Sequence, residues 1–237
     1  TAKGYYLNSS CDVVDQVKWL HKVNPYYLVT HPSNLLALVQ ETQRQGLHYE
    51  NLQDIRTVGE ALPVGLRELV KETLNAKLVD CYSSQEVGYI ALQCPEHEHY
   101  HVQSESLYLE VVDEAGAPCK PGEMGKILVT SLRNFATPII RYDIGDLGVL
   151  GDACPCGRGL PVLQQAIGRV RNMLQLPDGN KRWPNLGFKE IMSVASIRQF
   201  QVVQHELERL ELKLIVDPVL TAKQEEKLKN ILRKYLN

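Results

Sequence analysis

Residues 77–86 have the sequence KLVDCYSSQE, in which a short apolar run is followed directly by aromatic and polar side chains. The apolar run predicts a buried strand over residues 77–81. Residues 82–86 would then follow the carboxyl end of that strand. In open parallel sheets, ligands bind at the edge that the carboxyl ends of the strands form. We therefore expect a ligand site at this point of the chain.

Two more strands are predicted before this stretch, and each is followed by a helical pattern. We predict strands at residues 26–30 and 55–58, and helices at residues 12–23 with Asp12 as N-cap, from Ser33 to a stop at Gly46, and at residues 63–75. This order predicts a parallel sheet with right-handed crossovers. Gly59, Glu60 and Ala61 follow the strand at 55–58 and would lie at the same sheet edge as residues 82–86. The alternative is an ordinary strand-to-helix turn.

The second half of the chain has a different pattern. Residues 107–168 combine period-two apolar residues with Gly-rich turns, which predict a smaller antiparallel sheet or distorted barrel. Beyond residue 168 we predict a hairpin with a turn at 177–180, a helix at 186–194, strands at 199–204 and 211–216, and a helix at 221–235. The predicted fold class is thus α/β: a parallel sheet with flanking helices (1–106), a small antiparallel β subdomain (107–168) and a small α+β C-terminal domain (169–237).

Composition narrows the class of protein. Lys and Arg total 26 against 28 for Asp and Glu, and a net charge of -2 gives no electrostatic reason to expect nucleic acid as a partner. The sequence lacks an apolar run of about 20 residues, so no membrane-spanning helix is expected. Six cysteines at irregular spacing do not resemble a secreted disulfide framework, which favours a reducing, cytoplasmic setting. No isolated heptad seam is present, so a homodimer is left open.

Three separated phrases carry a family resemblance. They are Tyr82-Ser83-Ser84-Gln85-Glu86-Val87-Gly88, Arg141-Tyr142-Asp143-Ile144-Gly145-Asp146 and Gly168-Arg169-Val170-Arg171-Asn172. Each phrase alone would also fit a strand-end salt bridge or a turn. Taken together, in this order and at these separations, they resemble the adenylate-forming superfamily. Within it they are most similar to the phenylacetate-CoA ligase branch, which includes coenzyme F390 synthetase and capsule-biosynthesis relatives.

The resemblance implies a role for individual residues. Tyr82 would stack on adenine, Asp146 would accept hydrogen bonds from the two ribose hydroxyls, and Glu86 would hold Mg²⁺. Arg169 would reach the ribose or the α-phosphate, so that Glu86 and Arg169 would be the catalytic residues. Nucleotide contacts are also expected from a further set of residues: Gly59, Glu60, Ala61, Ser83 and Gln85.

The resemblance also implies a reaction and its cofactors. A small carboxylic acid would attack the α-phosphorus of ATP, pyrophosphate would leave, and coenzyme A would then accept the acyl group from the adenylate. The C-terminal domain would rotate about Arg171 and Asn172 between the two steps. Two alternatives stay open: transfer of the acyl group to an amine or hydroxyl acceptor, and a non-catalytic, zinc-stabilised nucleotide-binding module. The short apolar patches near Tyr82 and at residues 87–90 fit aromatic and aliphatic acids alike.

Three departures from the family pattern bear on activity. Gln85 stands where the family commonly has Thr. The sequence shows no Ser/Thr/Gly-rich loop ending in Lys, and it reaches Asn237 without a Gly-Lys phrase of the kind that supplies the adenylation lysine. We therefore expect a fragment that covers the later part of a family member and is inactive in isolation.

A second set of residues is typical of a metal site. Cys94 lies in a loop with His97 and His101, and Cys154 and Cys156 form a Cys-x-Cys pair. Structural zinc takes four such ligands in a tetrahedron. The Cys94-x6-His101 spacing resembles zinc-carrying members of the phenylacetate-CoA ligase branch, with His97 as the alternative to His101. The remaining interpretation is a solvated histidine loop with reduced thiols.

Overall fold

The structure is a computed structural model that describes residues 3–63, 65–169, 173–177, 179, 181–182 and 188–236. In these ranges the helices are α1 (Val13–Val23), α2 (Pro32–Gln45), α3 (Leu66–Leu74), α4 (Phe188–Met192) and α5 (Ala222–Leu236). The strands are β1 (Tyr27–Thr30), β2 (Asp54–Val58), β3 (Lys77–Ser84), β4 (Gly88–Gln93), β5 (Tyr100–Val102), β6 (Leu107–Val112), β7 (Met124–Ser131), β8 (Tyr142–Leu150), β9 (Val162–Arg169), β10 (Leu174–Gln175), β11 (Lys181–Arg182), β12 (Ile197–Glu206) and β13 (Arg209–Val216).

The chain divides into two compact units. The first comprises Thr1–Leu62 and Val70–Arg171, and the second comprises Pro63–Leu69 and Asn172–Asn237. The domain boundaries expected from the sequence stay a prediction. None of the helices in the described part of the chain is both long enough and apolar enough to cross a membrane.

The first unit is built on a nine-stranded sheet, with the order β1-β2-β3-β4-β5-β9-β8-β7-β6 among the described residues. β1, β2 and β3 pair in parallel, and the strands from β3 onwards pair antiparallel. The predicted fold class, a parallel sheet followed by antiparallel strands, is confirmed. The antiparallel strands are hydrogen-bonded to the parallel ones through β4 and β5, so both belong to one sheet.

Local chemistry sets the ends of the first helices. Asp12 accepts a hydrogen bond from the backbone N–H of Val14 at 2.8 Å, which caps α1 as the sequence predicts. Gly46 ends α2 with φ at 63°, a left-handed conformation that favours glycine. One strand is longer than expected: β3 continues to Ser84 because β4 pairs with it up to the Ser84–Gly88 position. Tyr82 and Ser83 therefore lie inside the strand.

The core of the sheet consists of apolar side chains from the antiparallel part. Its buried members are Ile90, Ala91, Val102, Leu107, Val111, Ile127, Val129, Ile144 and Leu163. They come from every strand between β4 and β9, so burial of apolar surface stabilises the antiparallel strands as a group.

The strand β5 joins the two halves of the sheet. It has three residues and pairs with β9 at two positions, Tyr100 with Leu163 and His101 with Val162. The Tyr100 hydroxyl donates to the buried carboxylate of Asp80 on β3 at 2.6 Å. Thr57 on β2 donates to the other carboxylate oxygen, also at 2.6 Å. These side-chain hydrogen bonds connect β5 to β3 across the intervening strand β4.

The second unit has its own core. β12 and β13 form an antiparallel pair, and their apolar side chains pack with residues of α4 and α5 around a buried cluster of Ile191, Val194, Ile197, Leu228 and Ile231. β10 and β11 form a short antiparallel pair where a hairpin is predicted. Residues 178, 180 and 183–187 belong to the predicted hairpin and helix start and lie outside the described residues.

We expect Tyr100→Phe to lower the free energy of unfolding by about 2 kcal/mol, because it removes a hydrogen bond to a buried carboxylate. Tyr108→Phe is the matched control, since Tyr108 is 60% exposed. Its effect should stay within about 0.5 kcal/mol. Urea-induced unfolding of both variants tests the prediction, and equal stabilities would show that the Tyr100–Asp80 contact contributes nothing.

Candidate functional site

Three side chains from different strands meet at a buried carboxylate. Asp146 on β8 is directly paired with Arg169 on β9, and its Oδ1 lies 3.1 Å from Arg169 Nε. The Tyr82 hydroxyl on β3 donates to Asp146 Oδ2 at 2.8 Å. The structure thus brings together one residue from each of the three phrases that the sequence singled out.

The acceptor capacity of Asp146 is only partly used by these contacts. A carboxylate offers about four lone-pair directions, and Tyr82 and Arg169 occupy one on each oxygen. Asp146 is 8% exposed, so its position is held by protein contacts. Such a carboxylate can accept two further hydrogen bonds, which is what a vicinal diol donates.

Burial keeps Tyr82 in its neutral form. Desolvation raises the pKa of the Tyr82 phenol far above its ordinary value, and the negative charge of Asp146 raises it further. The hydroxyl therefore stays a hydrogen-bond donor throughout the physiological pH range. This fixes the direction of the Tyr82–Asp146 hydrogen bond, with Tyr82 donating and Asp146 accepting.

Glu86 lies in the turn between β3 and β4 and is exposed. A hydrogen bond from its own backbone N–H lowers the pKa of Glu86 below its usual range, and Tyr142 and Arg169 contribute in the same direction. The Tyr142 hydroxyl is 3.4 Å from Glu86 Oε1. An exposed, ionised carboxylate of this kind can bind a hard divalent cation that keeps most of its water ligands. The sequence pattern assigned no partner to Tyr142.

Two other residues predicted to contact the nucleotide, Ser83 and Gln85, precede Glu86 in the chain. Ser83 is half-buried and paired with Tyr89 within the β3–β4 hairpin. Gln85 is exposed next to Glu86. Nucleotide contacts by Ser83 and Gln85 stay predictions. The predicted hinge residues Arg171 and Asn172 lie outside the described residues.

Glu60 is tied to the start of α2. Its two carboxylate oxygens accept hydrogen bonds from the backbone N–H and the hydroxyl of Ser33, each at 2.9 Å. His31, the N-cap residue of α2, makes no side-chain capping bond. Glu60, which follows β2, therefore accepts the hydrogen bond that the N-cap residue of α2 does not accept. Its negative charge at the N-terminus of α2 is also favourable for the helix dipole. The sequence offers one signal for this, a helix start without a good N-cap.

Gly59 and Ala61 lie on either side of Glu60 and are exposed. Gly59 has φ at 79°, and a Cβ on it would approach His31 Nδ1 to 3.2 Å. That ring nitrogen is 2.8 Å from the carbonyl oxygen of Val58. The backbone at Gly59 is thus held against the start of α2, and its contact with a nucleotide stays a prediction.

Four potential metal ligands meet at the other end of the antiparallel strands. The ligand atoms of Cys94, His101, Cys154 and Cys156 all lie within 4.8 Å of one another. Cys94 Sγ is 3.9 Å from Cys154 Sγ, and Cys156 Sγ is 3.3 Å from His101 Nε2. All four cysteine and histidine residues were candidates from the sequence. His97 is exposed, stacked on His99 with ring centroids 5.2 Å apart, and is not part of this group.

The donor set and its spacing fit a tetrahedral zinc ion. Zn–S bonds of about 2.3 Å separate two thiolates by about 3.8 Å, which matches the Cys94–Cys154 distance of 3.9 Å. A hydrogen bond from the backbone of Arg158 lowers the pKa of Cys156 to about 6, which favours its thiolate. Burial raises the pKa of Cys154 to about 11, so its thiol would deprotonate when a metal binds.

The chain is similar in sequence to curated acid–CoA ligases, although no family model matches it. Phenylacetate-coenzyme A ligase from Thermus thermophilus is 30% identical over 166 residues, which are 67% of this chain and 37% of the relative. Phenylacetate-coenzyme A ligase from Pseudomonas putida is 28% identical over 167 residues, with the same two shares. The matched part of the chain thus spans 37% of the length of these relatives.

Solved structures share the fold. The structure of 2-hydroxyisobutyryl-CoA ligase in complex with 2-HIB-AMP has a TM-score of 0.80 and 22% identity, and the match covers 94% of this chain and 51% of that one. The anthranilate CoA ligase AuaEII in complex with anthranoyl-AMP has a TM-score of 0.75 and 16% identity, with 98% and 48% covered. At sequence identities of 22% and 16%, the structural similarity establishes the fold alone.

We expect Glu60→Ala to lower the free energy of unfolding by about 1 kcal/mol, because α2 loses the acceptor at its first turn. Glu60→Gln should lose less, since an amide oxygen can still accept from Ser33. Glu50→Ala, at an exposed position, serves as control. If thermal unfolding shows the same stability for Glu60→Ala and Glu50→Ala, the capping role of Glu60 is wrong.

Proposed function

Because the chain belongs to the phenylacetate-coenzyme A ligase branch of the adenylate-forming superfamily, we propose that it holds the adenylate in an ATP-dependent carboxylic acid–CoA ligase. The observation that carries the proposal is the contact of Tyr82, Asp146 and Arg169. These residues lie far apart in sequence, and each belongs to one of the phrases expected to bind adenosine monophosphate. The whole reaction is proposed by extension from relatives that are longer than this chain.

In the proposed site, Asp146 binds the ribose. Its oxygens accept hydrogen bonds from the 2′- and 3′-hydroxyls, while Tyr82 and Arg169 hold the carboxylate in place. The side chain of Arg169 is 48% exposed, so its other N–H groups would donate to the ribose or the α-phosphate. The Tyr82 ring, fixed through its hydroxyl, offers a face for adenine to stack on.

Glu86 would hold the magnesium ion that accompanies ATP. When bound, Mg²⁺ neutralises charge on the phosphate oxygens and on the departing pyrophosphate. Glu86 is suited to this because its lowered pKa keeps it ionised at neutral pH. Tyr142, with its hydroxyl 3.4 Å from Glu86, would help to orient the carboxylate.

The proposed chemistry has two steps. A carboxylate oxygen of the acid attacks the α-phosphorus of ATP, and the bond to pyrophosphate breaks to leave an acyl-adenylate. The sulfur of coenzyme A, after losing its proton, then attacks the acyl carbon, and AMP leaves with the electrons of the carbon–oxygen bond. Arg169 offsets negative charge around the α-phosphate in both steps. The substrate class we propose is a small carboxylic acid.

We further propose that Cys94, His101, Cys154 and Cys156 bind a structural zinc ion. Three thiolates and one imidazole complete a closed tetrahedron, so the ion would bind no water or substrate. When bound, the zinc would cross-link the segments that contain these four residues, and it would take no part in the reaction. None of the six cysteines, all of which lie in the described ranges, forms a disulfide, which fits a reducing, cytoplasmic setting.

We expect Asp146→Asn to weaken AMP binding about tenfold or more, since the amide loses the charge and one acceptor oxygen. Glu105→Gln, at an exposed position, should leave the affinity unchanged. Isothermal titration with AMP measures both. With 2′,3′-dideoxy-AMP as ligand, the Asp146→Asn and unsubstituted chains should bind equally weakly. A loss that persists with the dideoxy ligand would mean that Asp146 does not bind the ribose.

Metal analysis of the purified chain should find one zinc ion per molecule. His101→Ala should lose that ion, because its Nε2 lies within the ligand group, whereas His97→Ala and Cys119→Ser should retain it. Inductively coupled plasma mass spectrometry gives the stoichiometry. Zinc that survives His101→Ala and disappears with His97→Ala would show that the ligand assignment is wrong.

A further inference from the structure

The proposed metal ligands form one group (Cys94, His101, Cys154 and Cys156), and the proposed nucleotide-binding residues form another (Tyr82, Glu86, Asp146 and Arg169). Each group has members on both sides of the junction between β5 and β9, which we call the seam. On one side of the seam are Cys94, which follows β4, and His101 on β5. On the other side, Cys154 and Cys156 lie in the connection between β8 and β9. The nucleotide group is divided in the same way: Tyr82 and Glu86 belong to the β3–β4 hairpin, while Asp146 and Arg169 lie on β8 and β9.

The backbone alone joins the seam weakly. β5 and β9 are paired at two positions, and one further hydrogen bond, from Val102 N–H to the Pro161 carbonyl at 2.9 Å, crosses beside them. The neighbouring β8–β9 junction is paired at five positions. Because the ladder is short, side-chain and metal contacts contribute a larger share of what holds the two halves in place.

The geometry points to a brace: we propose that the metal-ligand group positions the nucleotide-binding side chains across the seam, so that metal and nucleotide bind cooperatively. This rests on the proposed function of the Asp146 site. Cys94, His101, Cys154 and Cys156 are positioning residues in this proposal, because they would act through the strands that carry Tyr82, Asp146 and Arg169. Binding of one metal ion by all four residues would fix the distance between the strands on the two sides of the seam. Tyr82 and Asp146, which lie on opposite sides, would then stay within hydrogen-bonding distance.

One side-chain hydrogen bond and the strands on either side of it connect the two groups. His101 is a metal ligand, and its neighbour Tyr100 donates to Asp80 on β3. Asp80 precedes Tyr82 by two positions, so both side chains lie on the same face of β3. On the opposite side of the seam, β8 and β9 run from the cysteine loop to the Asp146–Arg169 pair. A shift of β5 against β9 would therefore move Tyr82 away from Asp146.

Cooperative binding predicts a reciprocal effect. If zinc strengthens AMP binding by some factor, AMP must strengthen zinc binding by the same factor. We expect a factor of about ten, in the range usual for coupling between two sites on one protein. At an AMP concentration that saturates the unsubstituted chain but leaves Asp146→Asn largely unbound, AMP should strengthen zinc binding in the unsubstituted chain and much less in the variant.

The test uses the full chain loaded with zinc. Zinc affinity is measured by competition with a chromophoric chelator, with and without saturating AMP, and AMP affinity is measured by titration of the zinc-loaded and zinc-free chains. We expect both affinities to change about tenfold in the same direction. AMP that binds the loaded chain without altering zinc affinity would overturn the proposal.

Hydrogen exchange provides a second readout that does not depend on nucleotide. Removal of zinc should accelerate exchange of the Val102 amide, which donates across the seam, and leave the amides of β2 unchanged. Unchanged exchange at Val102 would overturn the brace. So would acceleration of all amides alike, because the metal would then stabilise the whole fold instead of positioning the seam. If the loaded chain fails to bind AMP, the proposed nucleotide site is wrong, and the Val102 measurement alone decides the role of the metal.

Discussion

Continuity of the main sheet depends on the three-residue strand β5. Side chains alternate between the faces of a strand, and each residue of β5 has a separate partner. Tyr100 donates to the buried carboxylate of Asp80, Val102 packs in the core of the antiparallel strands, and His101 lies in the metal-ligand group. A longer strand would be held by its backbone ladder. In β5 the hydrogen bond of Tyr100, the packing of Val102 and the contact of His101 Nε2 with Cys156 Sγ add to a short backbone ladder.

Two buried carboxylates show how similar groups serve different purposes. Asp80 and Asp146 are 5% and 8% exposed, and each accepts a hydrogen bond from a tyrosine. The second partner of Asp80 is the hydroxyl of Thr57 inside the sheet, so its contacts connect strands. The second partner of Asp146 is Arg169, whose side chain is about half exposed. In the proposed site Asp146 binds the ligand, whereas the contacts of Asp80 connect strands of the sheet.

The sequence predicts those features that depend on local chemistry. Helix α1 begins at its Asp12 cap, α2 ends at Gly46, and alternation marks the longer antiparallel strands. The role of β5 was not predictable, because three residues are too few to show a period. The capping of α2 by Glu60 was also missed, since it joins positions 27 residues apart. The sequence left His97 and His101 as alternative ligands. The strand β5 contains His101, and it is His101 that lies within reach of the three cysteines.

Register is what converts the sequence phrases into a site. Asp146 and Arg169 are directly paired, and the pairing shifts by one residue between Leu147 and Gly148. Such a bulge changes the face on which the subsequent residues of a strand lie. The extra residue is Ile167 on β9, because Leu147 pairs with Gly168 and Gly148 pairs with Ala166. Without this extra residue, counting from the Gly148–Ala166 pair would place Gly168 opposite Asp146 instead of Arg169. The chemistry of the site is therefore encoded in strand pairing as much as in the residues themselves.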